Sequence, residues 1–413
     1  MIMETTEETK ITETKVEGEG EHRHHHHHRH IYYRPEIEKM RLLLMACAIL
    51  YTYGIYLLFG DINNALFGFS FPALYIISGY LVLRKSENIE KRILRTVGRT
   101  AICFVILFSV YFVLSLLLER EATLAAVTTK KFWFDFLVLN DCNLSIGFPI
   151  WYVQALLYAY IIIYVIYKLK LLKFDIYIAA LCLVVTVLTG ELAGVIGFNF
   201  FGHTYLSGNF LTRALPYILI GCFIHRKKKY FADLKTKHFC LIILAGFALS
   251  IAEYFVLGIT KNIVYVSHLL GMGLVAVGIS LFAFFVEGME IKSKALNKLS
   301  RYELMIPYFV CSIIYYLLVK FVQSQNEQVV YELANLIGII TTVLSFLAMY
   351  IYIYFRSWFD NSDSDKSSSK YDDSKGYYGY KSDHHHGEHH HHHDKAVLDI
   401  GSEEPSKTNT PIS

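Results

Sequence analysis

Ten runs of mostly apolar residues, each about twenty long, divide this chain, and a water-soluble core has no use for so many. They fall at about 40–60, 65–83, 100–118, 149–167, 175–195, 207–225, 238–257, 264–286, 304–322 and 331–355. A helix of that length spans roughly 30 Å, the thickness of the bilayer's hydrocarbon layer. Lipid offers no partners to backbone N–H and C=O groups, so such runs form helices that bond within themselves. The chain is 54% hydrophobic and only 18% charged, in keeping with that class. The expectation is an all-α, polytopic integral membrane protein of about ten transmembrane helices. Glu191 ends the fifth run and Arg213 interrupts the sixth.

The polar remainder sets domains and topology. Residues 1–33 are acidic and then His-rich, with no short apolar core and cleavage site, so no cleaved signal peptide is expected. Residues 356–413 lose all hydrophobic periodicity and include HHHGEHHHHHD. Both stretches read as disordered tails around a membrane domain at 34–355. The loops at 84–99, 168–173, 225–237 and 287–301 carry 19 Lys and Arg, against 4 in the loops at 119–148, 196–206, 258–263 and 323–330. Basic loops stay inside, so ten crossings put both termini in the cytoplasm of a plasma-membrane protein. The longest outer segment holds KKFWFDFLVL (130–139), whose aromatics suit a surface-lying or re-entrant piece; a loop resting on the bilayer is the alternative.

Several features exclude chemistry. The seven cysteines show no metal-type pairing and no disulfide framework. The two His tracts hold 15 of the 19 histidines, but flexible runs lack fixed geometry and bind metals weakly and without selectivity. No nucleotide loop, HExxH, GxSxG or CxxC pattern that would carry chemistry occurs, and nothing supports nucleic-acid binding.

Four short motifs carry more information. Arg34-Pro35-Glu36-Ile37-Glu38-Lys39-Met40-Arg41 enters the first helix, with Thr52 eleven residues beyond Arg41, on the same face and roughly 16 Å away. Tyr75-Ile76-Ile77-Ser78-Gly79-Tyr80 lies in the second run; small residues there let another backbone approach, which in membranes is more often packing than catalysis. Arg92, Arg95 and Arg99 share one helix face. That basic face suits either a phosphorylated donor or the positive-inside signal with anionic lipid. Phe148-Pro149-Ile150-Trp151-Tyr152-Val153 opens the fourth run. In order and position these resemble the membrane acyltransferase-3 family, polytopic enzymes that acylate cell-surface glycans and related acceptors. Glu38 stands at the family's usual Asp, Arg41 at its Arg, and Thr52 at its His. Asn209 to Arg226 resembles the family's sixth-helix region more loosely.

The resemblance implies transfer of an acyl group, acetyl above all, from cytoplasmic acyl-CoA to a hydroxyl or amine on an envelope glycan or similar acceptor. Acyl-CoA is then a co-substrate, and no cofactor is bound. Glu38 and Arg41 would anchor the active face, and Arg92, Arg95 and Arg99 would hold the donor's phosphates. Thr52, Ser78, Trp151, Tyr152 and Arg213 would shape the cavity. Deprotonating the acceptor calls for a base, and His suits neutral pH. Thr52 cannot serve, which leaves His268, or His203, as substitutes and keeps open an acyltransferase-like pseudoenzyme or a transporter. No internal repeat of the transporter kind is evident. Single cysteines placed in turn at 88 and 230, in a chain otherwise free of cysteine, should react with impermeant maleimide only from the cytoplasmic side.

Overall fold

The computed structural model describes residues 35–53, 67–83, 88–142, 144, 150–189, 209–259, 269–286, 306–324 and 327–367. Both His tracts, Arg34, His203 and His268 lie outside them. The chain divides into two compact units, one ending at Trp358 and the other beginning at Phe359, and the helical bundle is the first of them.

Every regular element among the described residues is helical. In chain order they are α1 (Pro35–Tyr53), α2 (Ser70–Val82), α3 (Ile89–Leu118), α4 (Arg120–Val127), α5 (Lys130–Phe134), α6 (Ile150–Lys168) and α7 (Asp175–Thr189). Next come α8 (Phe210–Arg213), α9 (Leu215–Arg226), α10 (Lys228–Ala232), α11 (Thr236–Ile259), α12 (Leu269–Phe285), α13 (Ile306–Gln323) and α14 (Glu327–Ser367). Five stretches are long and apolar enough to cross a membrane: Ile89–Leu118, Ile150–Lys168, Leu171–Leu188, Thr236–Phe255 and Leu336–Phe355. Shorter apolar helices run over Ser70–Val82, Leu270–Phe285 and Pro307–Gln323. The sixth apolar run is not one helix. It breaks between α8 and α9, where Pro216 sits in the first turn of α9 and has no N–H with which to continue α8.

Local sequence explains where elements start. Asn88 caps α3 by accepting from the Lys91 N–H at 3.1 Å, Thr129 caps α5 through Phe132 N–H at 3.2 Å, and Asn209 caps α8 through Leu211 N–H at 2.7 Å. The aromatic segment is helical through α5 and then widens into a π-helix, Asp135–Leu139, stopped by Asn140 in the left-handed conformation (φ 62°). Its Phe132, Asp135 and Phe136 are buried, while Trp133, Phe134, Leu137 and Val138 face outward.

Helix α2 is the hub, packed against α1, α3, α9 and α12. It is apolar around most of its circumference and buried along nearly its whole length, as a helix inside a bundle must be. Its closest neighbour is α9. A Cβ at Gly79 would run into the Ile218 carbonyl, and one at Gly221 into the Ile76 carbonyl. Helices α11 and α12 cross in the same way, Gly271 against the Ser250 backbone and Gly246 against Val275. In lipid such close approach, rather than expulsion from water, holds helices together. The faces of α3, α11 and α14 turned away from the bundle expose Ile102, Val105, Val113, Leu117, Leu241, Leu244, Phe255, Val343 and Leu347. Apolar side chains in such continuous bands fit a lipid surface.

Charged pairs tie the bundle at its two ends. At one end Glu90 of α3 pairs with Lys168 of α6 at 2.6 Å, and Asp175 of α7 takes a two-pronged grip from Arg226 of α9, with Arg226 Nε at 2.9 Å. At the other, Glu119 accepts from Tyr316 at 2.7 Å and pairs with Lys320 at 3.3 Å, both on α13. Helices α3 and α6, like α7 and α9, therefore run antiparallel.

Gly79→Ala and Gly221→Ala should each force α2 from α9 and lower the thermal midpoint in detergent, whereas Gly98→Ala, with nothing within 4 Å of its Cβ, should stabilise by about 0.5–1 kcal/mol. Asp175 is fully buried while the Arg226 side chain is 29% exposed. Arg226→Met strands a buried carboxylate and should cost about 3–5 kcal/mol in the same melting experiment; Asp175→Asn should cost less, because Arg226 can still reach water.

Candidate active site

Helix α1 presents Glu38 and Arg41 one turn apart, joined by an ion pair of 2.9 Å. Each is about one-fifth exposed, at 20% and 22%, so the pair is neither fully solvated nor sealed. Glu38 fixes the direction of the guanidinium and leaves other N–H groups to point elsewhere. Three turns on, the Thr52 hydroxyl donates to the Ala48 carbonyl at 2.8 Å. Its proton is spent within its own helix.

Inside the bundle, α1, α2, α6, α8 and α13 converge on a block of aromatic and hydroxyl side chains. Tyr75 of α2 stacks on Tyr152 of α6 with ring centroids 5.0 Å apart. Tyr308 of α13 meets Tyr152 edge-on at 5.8 Å. Phe71 touches Trp151 at 4.9 Å and both Tyr152 and Tyr308 at 5.6 Å. The charge of Arg41 reaches the Tyr152 and Tyr160 phenols, and that of Arg213 reaches Tyr75. Ser78 stands beside Tyr152 and Tyr160, but its proton goes to the Leu74 carbonyl at 2.8 Å, and its contact with Tyr152 falls short of hydrogen-bond geometry.

The structure thus brings Arg41, Ser78, Trp151, Tyr152 and Arg213 to one region, with Glu38 attached through Arg41. Arg92, Arg95 and Arg99 line the first turns of α3; Arg95 and Arg99 are exposed and Arg92 half-buried. No described bond links Arg95 or Arg99 to the aromatic block. His268 lies outside the described residues. Sequence reasoning missed Tyr75, Tyr160 and Tyr308. Tyr75 opens the Tyr75–Tyr80 motif, three residues before Ser78 on the same face, but among 31 tyrosines it did not stand out, and nothing local marks Tyr308.

A second polar patch supports the site from the outer-segment side. Gln154 donates to the Phe136 carbonyl, Tyr158 to the Leu137 carbonyl at 2.9 Å, and Asn140 to the Trp151 carbonyl at 3.0 Å. The first two bonds take up carbonyls of the π-helix, and all three hold the aromatic segment against the head of α6. Nearby Cys142 is no nucleophile, since burial pushes its thiol up to about 12. Among the described residues no group of three His, Cys, Asp or Glu side chains could hold a metal. What the block offers is several buried phenols in a water-poor interior, with two partly exposed guanidinium groups within electrostatic reach. Such groups stabilise negative charge on oxygen as it develops in acyl transfer.

No curated protein and no solved structure matches the chain. A family model described as an acyltransferase domain matches residues 35–355, which takes in every residue of the aromatic block and the ion pairs at both ends of the bundle. By that match the chain belongs to the membrane acyltransferase-3 family.

Proposed function

We propose that this membrane acyltransferase moves an acyl group, acetyl in the first instance, from cytoplasmic acyl-CoA to a hydroxyl or amine on an envelope glycan or a similar acceptor. The observation that carries this reading is the placement of Arg41. Held by Glu38 at 2.9 Å and about one-fifth exposed, it lies within electrostatic reach of the interior phenols of α6. A charge held partly out of water beside buried phenols is costly, and its retention suits a functional site. Arg92, Arg95 and Arg99 take the donor's phosphates, for which bidentate guanidinium groups are suited. The exposure of Arg95 and Arg99 leaves them accessible to a soluble donor. In this reading the ten apolar runs are ten crossings of the plasma membrane, the end bearing Glu90 and Arg226 faces the cytoplasm, and both termini lie there. His268 is the proposed base.

The bond from Thr52 to the Ala48 carbonyl favours a second reading, a scaffold that binds an acyl group without transferring it. Acetate released from envelope glycans by mild base separates the two. Cells making the chain should carry more of it than cells without, and Arg41→Ala should remove the increase while the protein stays inserted at wild-type levels. An undiminished increase in the Arg41→Ala strain would refute the assignment. If only Thr52→His raises the bound acetate, the chain is a scaffold that has lost its base.

A further inference from the structure

Several tyrosines in this bundle have their hydroxyls satisfied. Tyr111 donates to the Phe309 carbonyl and accepts from Ser312 at 3.1 Å. Tyr158 donates to the Leu137 carbonyl, Tyr164 to Glu90 at 3.4 Å and Tyr316 to Glu119. Three others in the aromatic block depart from this pattern, with Tyr152 in contact with both Tyr75 and Tyr308. Tyr75, Tyr152 and Tyr308 are exposed by 1%, 0% and 0%, and their hydroxyl oxygens have no hydrogen-bond partner and no water-accessible surface. Burying an unpartnered hydroxyl is unfavourable, and phenylalanine would fill the same space without that cost. Phe71, in contact with Tyr152 and Tyr308, packs in the same cluster without a hydroxyl. Three uncompensated hydroxyls packed together call for a function.

We infer that Tyr75 and Tyr152 are the donors that hold the acyl carbonyl oxygen during transfer, with Tyr308 as the third wall of that subsite. This rests on the acyltransferase reading above and names the groups that would perform it. The acceptor hydroxyl oxygen attacks the acyl carbon, and the carbonyl electron pair moves onto oxygen, where the two phenol O–H groups donate to it. The pair then returns as the carbon–sulfur bond breaks. The thiolate leaves and takes the proton given up by the acceptor, so that thioester and alcohol become ester and thiol. Arg41 and Arg213, whose charges reach these phenols, strengthen them as donors. The absence of water-accessible surface at the hydroxyls protects the thioester from hydrolysis. Binding opens the ring cluster, and the hydrogen bonds gained offset that opening.

The test uses membrane vesicles containing the full chain and acetyl-CoA labelled in its acetyl group, with label counted in the base-releasable envelope fraction. Tyr152→Phe and Tyr75→Phe should each lower kcat about 100-fold, leave KM for acetyl-CoA unchanged, and keep or raise the thermal midpoint. Tyr316→Phe, which strips a satisfied hydroxyl at one end of the bundle, should show the reverse: a lower midpoint and unchanged kcat. Wild-type transfer that persists in both variants overturns the inference and leaves the acyltransferase reading standing. A fall in kcat matched by a fall in midpoint also overturns it, by making the hydroxyls structural. If the wild type moves no label, the acyltransferase reading fails and the inference fails with it.

Discussion

Nothing larger than hydrogen fits at Gly79 or Gly221, and much of the molecule hangs on that contact. It brings the backbone of α2 against the backbone of α9. In a bilayer, lipid tails are as apolar as leucine, so helices gain little by hiding apolar surface from lipid. Dispersion across a close, well-fitted seam has to supply the cohesion. Once α2 is seated on α9, Tyr75 and Ser78 face α6, and Tyr80 lies flat on Phe284 of α12 with centroids 3.9 Å apart. The candidate site is a by-product of that seating: the same six residues, Tyr75 to Tyr80, supply both the seam and a wall of the aromatic block.

Charge is treated differently in the ion pairs between helices and beside the aromatic block. At the ends acidic groups meet a base on a neighbouring helix, as Glu90 does Lys168 and Glu119 does Lys320. Exposed pairs of this kind contribute little stability, about 0–1 kcal/mol; their value is in fixing which helix neighbours which. Asp175 with Arg226 is the exception, buried on one side and bidentate. Near the start of α1, Arg41 is held by Glu38 of its own helix, within electrostatic reach of the Tyr152 phenol. A cation beside the place where the proposed reaction builds negative charge would be unfavourable at rest and favourable in the transition state.

The π-helix at Asp135–Leu139 belongs to the same design. An extra residue in a turn leaves carbonyls unclaimed, and here Gln154, Tyr158 and the neighbouring Asn140 close the gap between the aromatic segment and α6. That anchors Trp151 and Tyr152 from the outer-segment side, while Phe71 and Tyr75 hold them from within. The site is thus fixed by two independent sets of contacts, one polar and one aromatic, as a preorganised site requires.

How much of this was legible beforehand depends on the range of the interaction. Helicity, the apolar runs and the charged ends were plain, because helix geometry, bilayer thickness and positive loops are local properties of consecutive residues. The four motifs were also local, and they sufficed to find the family. The break at Pro216 could have been read from the missing N–H, yet the run around it is apolar enough to mask it. The grouping of Tyr75, Tyr152 and Tyr308 was not legible at all: they are 77 and 156 residues apart along the chain, and no periodicity links them. By itself the sequence determined a helical membrane chain with an acyltransferase pattern, since those follow from composition and short spacings. Only the tertiary structure decided which of 31 tyrosines lose their hydrogen-bond partners, because satisfaction of a buried hydroxyl depends on what other helices bring to it.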